Sequence, residues 1–317
     1  MDLAIYVGKN IETTSLMLVA RQMQECVGGR VVEKVPDLKG SDTVVNLIVA
    51  DQPNILAQRR YIGSKRIVSF FAGNFEEFTP SGMAQALLLL DEGVERLLVH
   101  SQHTFDEIRA FAMRTFNYPL AKRVLERVHL VWWAIEPFEY GQEKNPYHWM
   151  CPFNRINQTE KDIKLHAEVT RQLQLIAATR GRKFQTDFIY GGVSSGLEID
   201  LSCYRMVQQG NRAMFHDFLR PVSGFLCTSR FESFGIFYLE LLASGAVGVF
   251  ADYPWARKLL GDYPLIVPKA DLERACHDVL DRADYWRARV KPLVDGYVEK
   301  FSFARFTREM KQHLGMP

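Results

Sequence analysis

The stretch from Phe225 to Val267 reads FLCTSRFESFGIFYLELLASGAVGVFADYPWARKLLGDYPLIV, and the order of its segments decides the fold. Phe225 to Thr228 is an apolar run of buried-strand length. A polar loop with Glu232 follows, then Phe234-Gly235, then a helical stretch from about Ile236 to Ala243 that carries Glu240 and ends at Gly245. Ala246 to Phe250 is a second apolar strand and Leu265 to Val267 a short third. Strand, helix, strand in this order is the repeating unit of a parallel, doubly wound sheet. The run Phe234 to Ala251 is long enough to raise the question of a membrane span. Glu240 inside it, with Gly235, Gly245 and Gly248, favours two buried elements joined by a turn.

The same rhythm runs outward in both directions. In the first half, Leu3 to Val7, Arg30 to Val35, Val44 to Val49, Arg66 to Phe71, Arg96 to His100 and Val128 to Trp133 read as strands. Thr13 to Val27, Ser81 to Leu90 and Thr104 to Phe116 read as helices between them. Ile135 to Trp149 breaks the alternation with two prolines, a glycine and mixed charge, which predicts a linker. A long helix from Glu160 to Thr179 and a strand from Thr186 to Tyr190 restart it. Two helical stretches finish the chain, Leu272 to Lys300, with a break expected near Pro292, and Ala304 to Leu314. The expectation is an α/β protein of two Rossmann-like domains facing each other across a cleft. The first covers residues 1–136 with residues 301–317 packing back on it, and the second covers 148–300. Such sheets bind ligands at the carboxyl ends of their strands.

Composition narrows the class. The 317 residues are 47% hydrophobic and 24% charged, which excludes a disordered or fibrous chain. A net charge of +2 argues against a strong whole-molecule field for polyanions. Five scattered cysteines without CxxC or CxxH spacing read as buried thiols of a reducing compartment. With no leader-like start and no span, a soluble cytoplasmic protein is expected.

Two carboxylates carry the chemistry. A glutamate inside an apolar helix is costly unless something pairs with it, and a helix start offers free N–H groups to an anion. Glu232 in the loop and Glu240 in the helix lie eight apart, so each can reach a different part of one ligand. A salt-bridged Glu240 and a solvated Glu232 are the plainer alternative. Upstream, Arg155 and Lys161 flank a polar turn before the long helix, where Arg can grip a diphosphate bidentately and Lys can act as a point charge. Alone, such a pair is more often solvated surface charge.

Together these residues resemble the E-x7-E segment of retaining GT-B glycosyltransferases of the family-4 type. The matching positions are Ser229, Glu232, Phe234, Gly235, Leu239, Glu240, Ala243 and Gly245, then Val247 to Phe250. The resemblance implies that Glu240 holds the ribose hydroxyls of a nucleotide-sugar donor and that Glu232 contacts the sugar. It implies that the backbone around Ser233, Phe234 and Gly235 approaches the sugar and diphosphate. Arg155 and Lys161 resemble the family's G-R-x(4,5)-K motif, with Asn154 in place of its glycine, which gives them the leaving diphosphate. Gly191, after the strand ending at Tyr190, and Gly8-Lys9, after the first strand, join the donor set. Gly8 stands where the family has a Gly-Gly loop. Phe301-Ser302-Phe303 resembles the signature whose helix crosses back to the first domain, with Ser302 a plausible N-cap.

The implied reaction is sugar transfer to an acceptor hydroxyl with retention. No DxD-like motif appears, so no metal or other cofactor is expected. The acceptor side departs from the family, because no histidine stands at Ser69 to Asn74. Asn74 and His103 are its candidates, along with Arg59 and Arg60 in a basic cluster that extends to Lys65 and Arg66. That cluster is either a solvated helix end or a site for a phosphate-bearing acceptor such as nucleic acid, including a hydroxymethylated DNA base, a lipid head group or a phosphosugar. A sugar-nucleotide epimerase and a non-catalytic nucleotide-sugar-binding protein share the donor pattern. The base, the sugar and the oligomeric state have no signature in these residues.

Overall fold

The computed structural model describes residues 2–8, 15–71, 79–136, 144–152, 161–190, 201–208, 212–232 and 234–317. The chain divides into two compact units. Unit 1 is Met1–Ala134 with Phe301–Pro317, and unit 2 is Ile135–Lys300.

The strands of unit 1 are β1 (Leu3–Tyr6), β2 (Arg30–Val32), β3 (Thr43–Asn46), β4 (Arg66–Phe71), β5 (Arg96–Val99) and β6 (Val128–Leu130). They form a parallel sheet in the order β2-β1-β3-β4-β5-β6. The helices are α1 (Ser15–Val27), α2 (Gln52–Ala57), α3 (Arg59–Ile62), α4 (Pro80–Glu92), α5 (Gln102–Thr115) and α6 (Tyr118–Leu125). Their starts are written locally. Thr79 accepts from the Gly82 N–H ahead of Pro80, Ser101 from Thr104, and Asn117 from Leu120, each satisfying a donor that the first helical turn leaves open. Ile5, Val44, Val45, Ile67, Val68, Phe70, Leu97 and Leu98 are fully buried or nearly so, as expected of strands covered on both faces.

Unit 2 contains β7 (Asn145–Cys151), α7 (Ile163–Thr179), β8 (Gln185–Tyr190), β9 (Arg205–Gln208), α8 (Arg212–Leu219) and β10 (Val222–Cys227). After these come α9 (Ile236–Ala243), β11 (Val247–Ala251), α10 (Pro254–Leu260), β12 (Ile266–Val267), α11 (Leu272–Asp281) and α12 (Ala283–Lys300). The second parallel sheet has the order β12-β11-β10-β7-β8-β9. Counted within the unit, this is the doubly wound order 3-2-1-4-5-6 read from its far edge. The direction of winding reverses between β7 and β10, the neighbours at the centre.

Helix α13 (Phe303–Leu314) belongs to unit 1, where it packs against α1. Ser302 caps it by accepting from the Arg305 N–H at 3.4 Å. Phe306, Met310 and Leu314 recur every four residues on one face and are fully buried. Phe306 meets Trp133 at 4.8 Å between ring centroids. At the far end, the Arg66 guanidinium donates to the carbonyls of His313 (3.2 Å) and Leu314 and is held by Glu95 through two 2.6 Å bonds.

Three local expectations are corrected. The segment read as a linker holds β7, which pairs with β10 and β8 and buries Trp149, Met150 and Cys151. Its Pro146 is tolerated because it stands at the start of the strand. The last long helical stretch breaks at Arg282, between α11 and α12, and Pro292 lies inside α12. Val49 lies in a short 3-10 turn, Val49–Asp51, beyond the end of β3. The five cysteines are all free thiols, four of them buried. No helix among the described residues is long and apolar enough to cross a membrane.

Candidate functional site

The reversal between β7 and β10 makes a crevice at the carboxyl ends of these strands the expected ligand position of unit 2. The chain delivers its candidate side chains there. Strand β10 ends at Cys227 and runs into Thr228 and Ser229. The Thr228 hydroxyl donates to the Lys161 carbonyl at 2.7 Å, which ties the loop after β10 to the approach to α7. Asp162 follows with φ 49°, the only non-glycine residue with positive φ among the described residues. A bend of that kind is unfavourable for an L-residue. The Asp162 carboxylate is bonded to Lys269 at 2.7 Å and lies 3.5 Å from Arg230. Burial raises the carboxyl pKa, and the two cations outweigh that and leave it below its usual value.

Lys161 and Glu232 form an ion pair, each side chain 14% exposed. The same Glu232 oxygen accepts from the Tyr238 hydroxyl at 2.7 Å. Tyr238 is also 2.8 Å from Ser229 Oγ. The single phenolic proton points at the carboxylate, so Ser229 donates to Tyr238. Burial, then the nearby Cys227 and Glu232, hold the Tyr238 hydroxyl far above its ordinary pKa, so it stays a donor. Burial, with Glu232 adding to it, also pushes the Cys227 thiol up to about 12, which keeps it protonated and unreactive.

An aromatic floor fixes this group from below. Tyr238 stacks on Phe225 (6.2 Å) and meets Trp255 at 5.6 Å, and the Trp255 indole N–H donates to the Ser229 carbonyl at 2.9 Å. Gly235 caps α9 at φ 75°, and a Cβ there would stand 3.0 Å from the Tyr238 ring. Gly235 therefore supplies both the turn and the room for Tyr238. In β11 a Cβ on Gly248 would meet Phe225 at 2.4 Å, so this glycine makes space for the floor itself.

Of the expected donor residues, Lys161, Glu232, Phe234 and Gly235 lie together at the carboxyl end of β10 and the start of α9. Phe234 is buried at 2% exposure. Glu240 lies further along α9 and is buried at 1%. Gly8, with φ 73°, follows β1 in unit 1. Arg155, Ser233, Gly191, Lys9 and Asn74 lie outside the described residues. Tyr238 is the member of this hydrogen-bonded group that the motif reading passed over. Its signal was an aromatic hydroxyl three residues after the glycine that starts a helix.

The expected acceptor residues separate to opposite edges of the sheet in unit 1. His103 lies in the first turn of α5, just past the carboxyl end of β5. Arg59 lies ahead of the amino end of β4, where its guanidinium donates to the carbonyls of Lys65 (2.6 Å), Gly93 (3.3 Å) and Ser64 (3.4 Å). The exposed Arg60 is beside it on α3. A strand of four to six residues at ~3.3 Å each, roughly 13–20 Å, separates the two edges. One small acceptor cannot touch both. Burial holds His100, at the end of β5, down to a pKa of about 4, and a hydrogen bond involving the Phe71 backbone opposes this. His100 is therefore a neutral core group at neutral pH. Among the described residues, no three His, Cys, Asp or Glu side chains gather as a metal would require.

Two doubly wound units, each with a six-stranded parallel sheet, and a final helix returned to the first unit define the GT-B fold. The sequence matches no family model and no curated protein. Solved structures share the fold over the full chain. Anabaena Alr3699/HepE in complex with UDP is 10% identical at a TM-score of 0.71, with 99% of this chain and 100% of that one covered. The same protein in complex with UDP and glucose gives 10% and 0.73, with 99% of both chains covered. The trehalose-6-phosphate synthase OtsA is 11% identical at 0.71, with 100% of this chain and 99% of that one covered.

Proposed function

We propose that the protein is a glycosyltransferase of the retaining, family-4 kind that uses a nucleotide-sugar donor held at the carboxyl ends of β7 and β10. The observation that carries this reading is the Lys161–Glu232–Tyr238 group, gathered at the winding reversal beside the start of α9. The solved structures of HepE with UDP, with UDP and glucose, and with UDP-glucose support the choice of donor class.

In this reading Glu232 accepts from the sugar hydroxyls and Glu240 from the ribose hydroxyls. Lys161, joined by Arg155, faces the diphosphate, and the amide groups at Ser233 to Gly235 add the positive end of α9. Gly191 and Gly8-Lys9 are the remaining donor contacts. Without donor, Lys161 is neutralised by Glu232. A diphosphate entering the site competes for that ammonium and releases the carboxylate from its ion pair, so that Tyr238 holds the first Glu232 oxygen while the second meets the sugar. The bond from the anomeric carbon to the diphosphate oxygen breaks, and the acceptor oxygen bonds to that carbon on the same face. The acceptor proton passes to a phosphate oxygen. Charge growing on the leaving group is met by Lys161 and Arg155, the kind of preorganised electrostatics that carries much of enzymatic rate enhancement. No metal is required in this scheme, so EDTA leaves turnover unchanged. Unit 1 reads the acceptor, with His103 on the carboxyl edge of its sheet.

The test is a thermal-shift panel of UDP, GDP, ADP and their sugar conjugates on wild type and Glu240→Gln. One nucleotide at about 100 times its dissociation constant adds roughly 2.7 kcal/mol to the wild type and much less to the variant. No shift with any of them overturns the proposal. The anomeric proton coupling of the product, read by NMR, decides retention against inversion. Donor turnover in the absence of any acceptor points to an epimerase instead.

A further inference from the structure

Unit 1 contains a pocket of about 340 Å³ at the amino-terminal edge of its sheet, lined by Arg59, Lys65, Arg66, Glu95 and Arg127 among others. This is the edge opposite the one where doubly wound sheets hold their ligands. Arg66 is spent on Glu95 and on the last carbonyls of α13. Arg96 stands 3.6 Å from the same Glu95. Lys65 leans on Asp42 at 3.3 Å. Asp91, the next carboxylate outward, is matched by Arg123 at 3.0 Å.

Four cations (Arg59, Lys65, Arg66 and Arg127) thus line the pocket with one carboxylate, Glu95, and Asp42 pairs with Lys65 beside it. The carboxyl ends of α4 and α13 add about half a negative charge each. An excess of about one positive charge remains. His313 does not change it, because burial, with His129 and Arg96 nearby, holds its pKa at about 4 and leaves it neutral at pH 7. A phosphate monoester carries about −1.5 to −2 at pH 7, opposite in sign to the excess.

The donors are also held in place. Arg59 is fixed by three carbonyls and Arg127 by the Leu90 carbonyl. Each guanidinium has five N–H groups in a rigid fork. Arg59 therefore keeps two, and Arg127 four, beyond those bonds. Anchored guanidinium groups lose little freedom when they bind, which favours recognition of a planar or tetrahedral oxyanion. The volume is at the lower end of the range for small-ligand pockets, which suits a compact molecule.

We propose that this pocket binds the phosphate group of a small phosphorylated molecule, at a site separate from the nucleotide-sugar site of unit 2. Calorimetric titration with inorganic phosphate and with glucose 6-phosphate, in the presence of saturating UDP, tests it. Binding is expected in wild type, weakened at least tenfold by Lys65→Glu and by Arg127→Gln, and weakened by salt. Lys65 is 79% exposed, so its replacement leaves the fold intact if Arg127→Gln does not. Vesicles of phosphatidylcholine with phosphatidic acid form the second arm. Binding to these vesicles without binding to either soluble phosphate overturns the small-molecule assignment in favour of a lipid head group. No binding to any probe, or binding that UDP abolishes and neither substitution changes, overturns the site.

Discussion

Tyr238 fixes one oxygen of Glu232 with a single proton, and in the proposed donor site the other oxygen meets the sugar. A hydrogen bond to a charged group contributes about 1.5–3 kcal/mol. Tyr238→Phe is therefore expected to lower kcat/KM by roughly ten- to hundredfold, with the nucleotide affinity in the thermal-shift panel unchanged. Wild-type turnover in that variant would remove Glu232 from the donor site. Lys161→Ala should cost turnover on the order of 10²-fold, as the loss of an oxyanion-stabilising donor does, and should weaken UDP-sugar more than the free nucleoside. For Glu240, buried in α9, the informative pair of readings is melting temperature and nucleotide affinity in Glu240→Gln. A lower melting temperature with unchanged affinity would make it a structural carboxylate.

The histidines set a pH dependence at the same scale. Burial lowers the folded-state pKa of His100 to about 4 and that of His166 to about 3, against an ordinary 6.5. The unfolded chain therefore takes up protons below pH 6.5 that the folded chain refuses until near pH 4 or 3. Their contribution is fully present above pH 6.5 and is lost as pH falls from there toward 3. Denaturant midpoints measured from pH 7.5 to 4 should decline below 6.5 and stay level above it.

Among the elements, α9 and its neighbours were legible because their sequence repeats one pattern without interruption: apolar strand, glycine, apolar helix, glycine, apolar strand. Strand β7 was not. It begins Asn145-Pro146-Tyr147-His148, and its apolar residues come only at the end, so a linker and a strand with a polar entry look alike. Strand β9 went unread because it is an edge strand, and Arg205 and Gln208 give no run of apolar residues. The site shows the same divide. The carboxylates and Lys161 stand out by spacing, whereas Tyr238 gains its meaning from the bend at Gly235. The role of Arg59 was hidden because a basic cluster before a strand reads the same whether it faces carbonyls or a ligand. Gly235→Ala tests the bend. The left-handed turn costs an L-residue about 1–2 kcal/mol, and its Cβ presses on Tyr238. Stability and kcat/KM should fall together, and a loss of stability alone would detach the cap from the chemistry.

The molecule as a whole depends on its last helix. Phe301, Phe306, Met310 and Leu314 are at most 1% exposed, and burying side chains of this size contributes about 1.5–3 kcal/mol each. Truncation after Lys300 also strips Arg66 of the carbonyls it serves. Unit 1 should then lose its cooperative transition, with proteolysis moving to sites within residues 15–134, while unit 2 keeps its own. Equal protection of both units in the truncated chain would show that α13 is dispensable.

The return of α13 to unit 1 also orders events at the ribosome. Unit 2 is encoded without interruption between the two parts of unit 1, so all of its strands have been made before the helix that completes its elder neighbour. The usual sequence, in which the segment made first is finished first, is reversed. At ~5–20 residues per second, the 17 residues from Phe301 to Pro317 take about 1–3 s to make. During that interval the nascent chain carries a finished sheet and, behind it, an older one still waiting for its last helix. Chaperone binding early in synthesis is therefore expected to concentrate on the first 134 residues and to persist until α13 has been made.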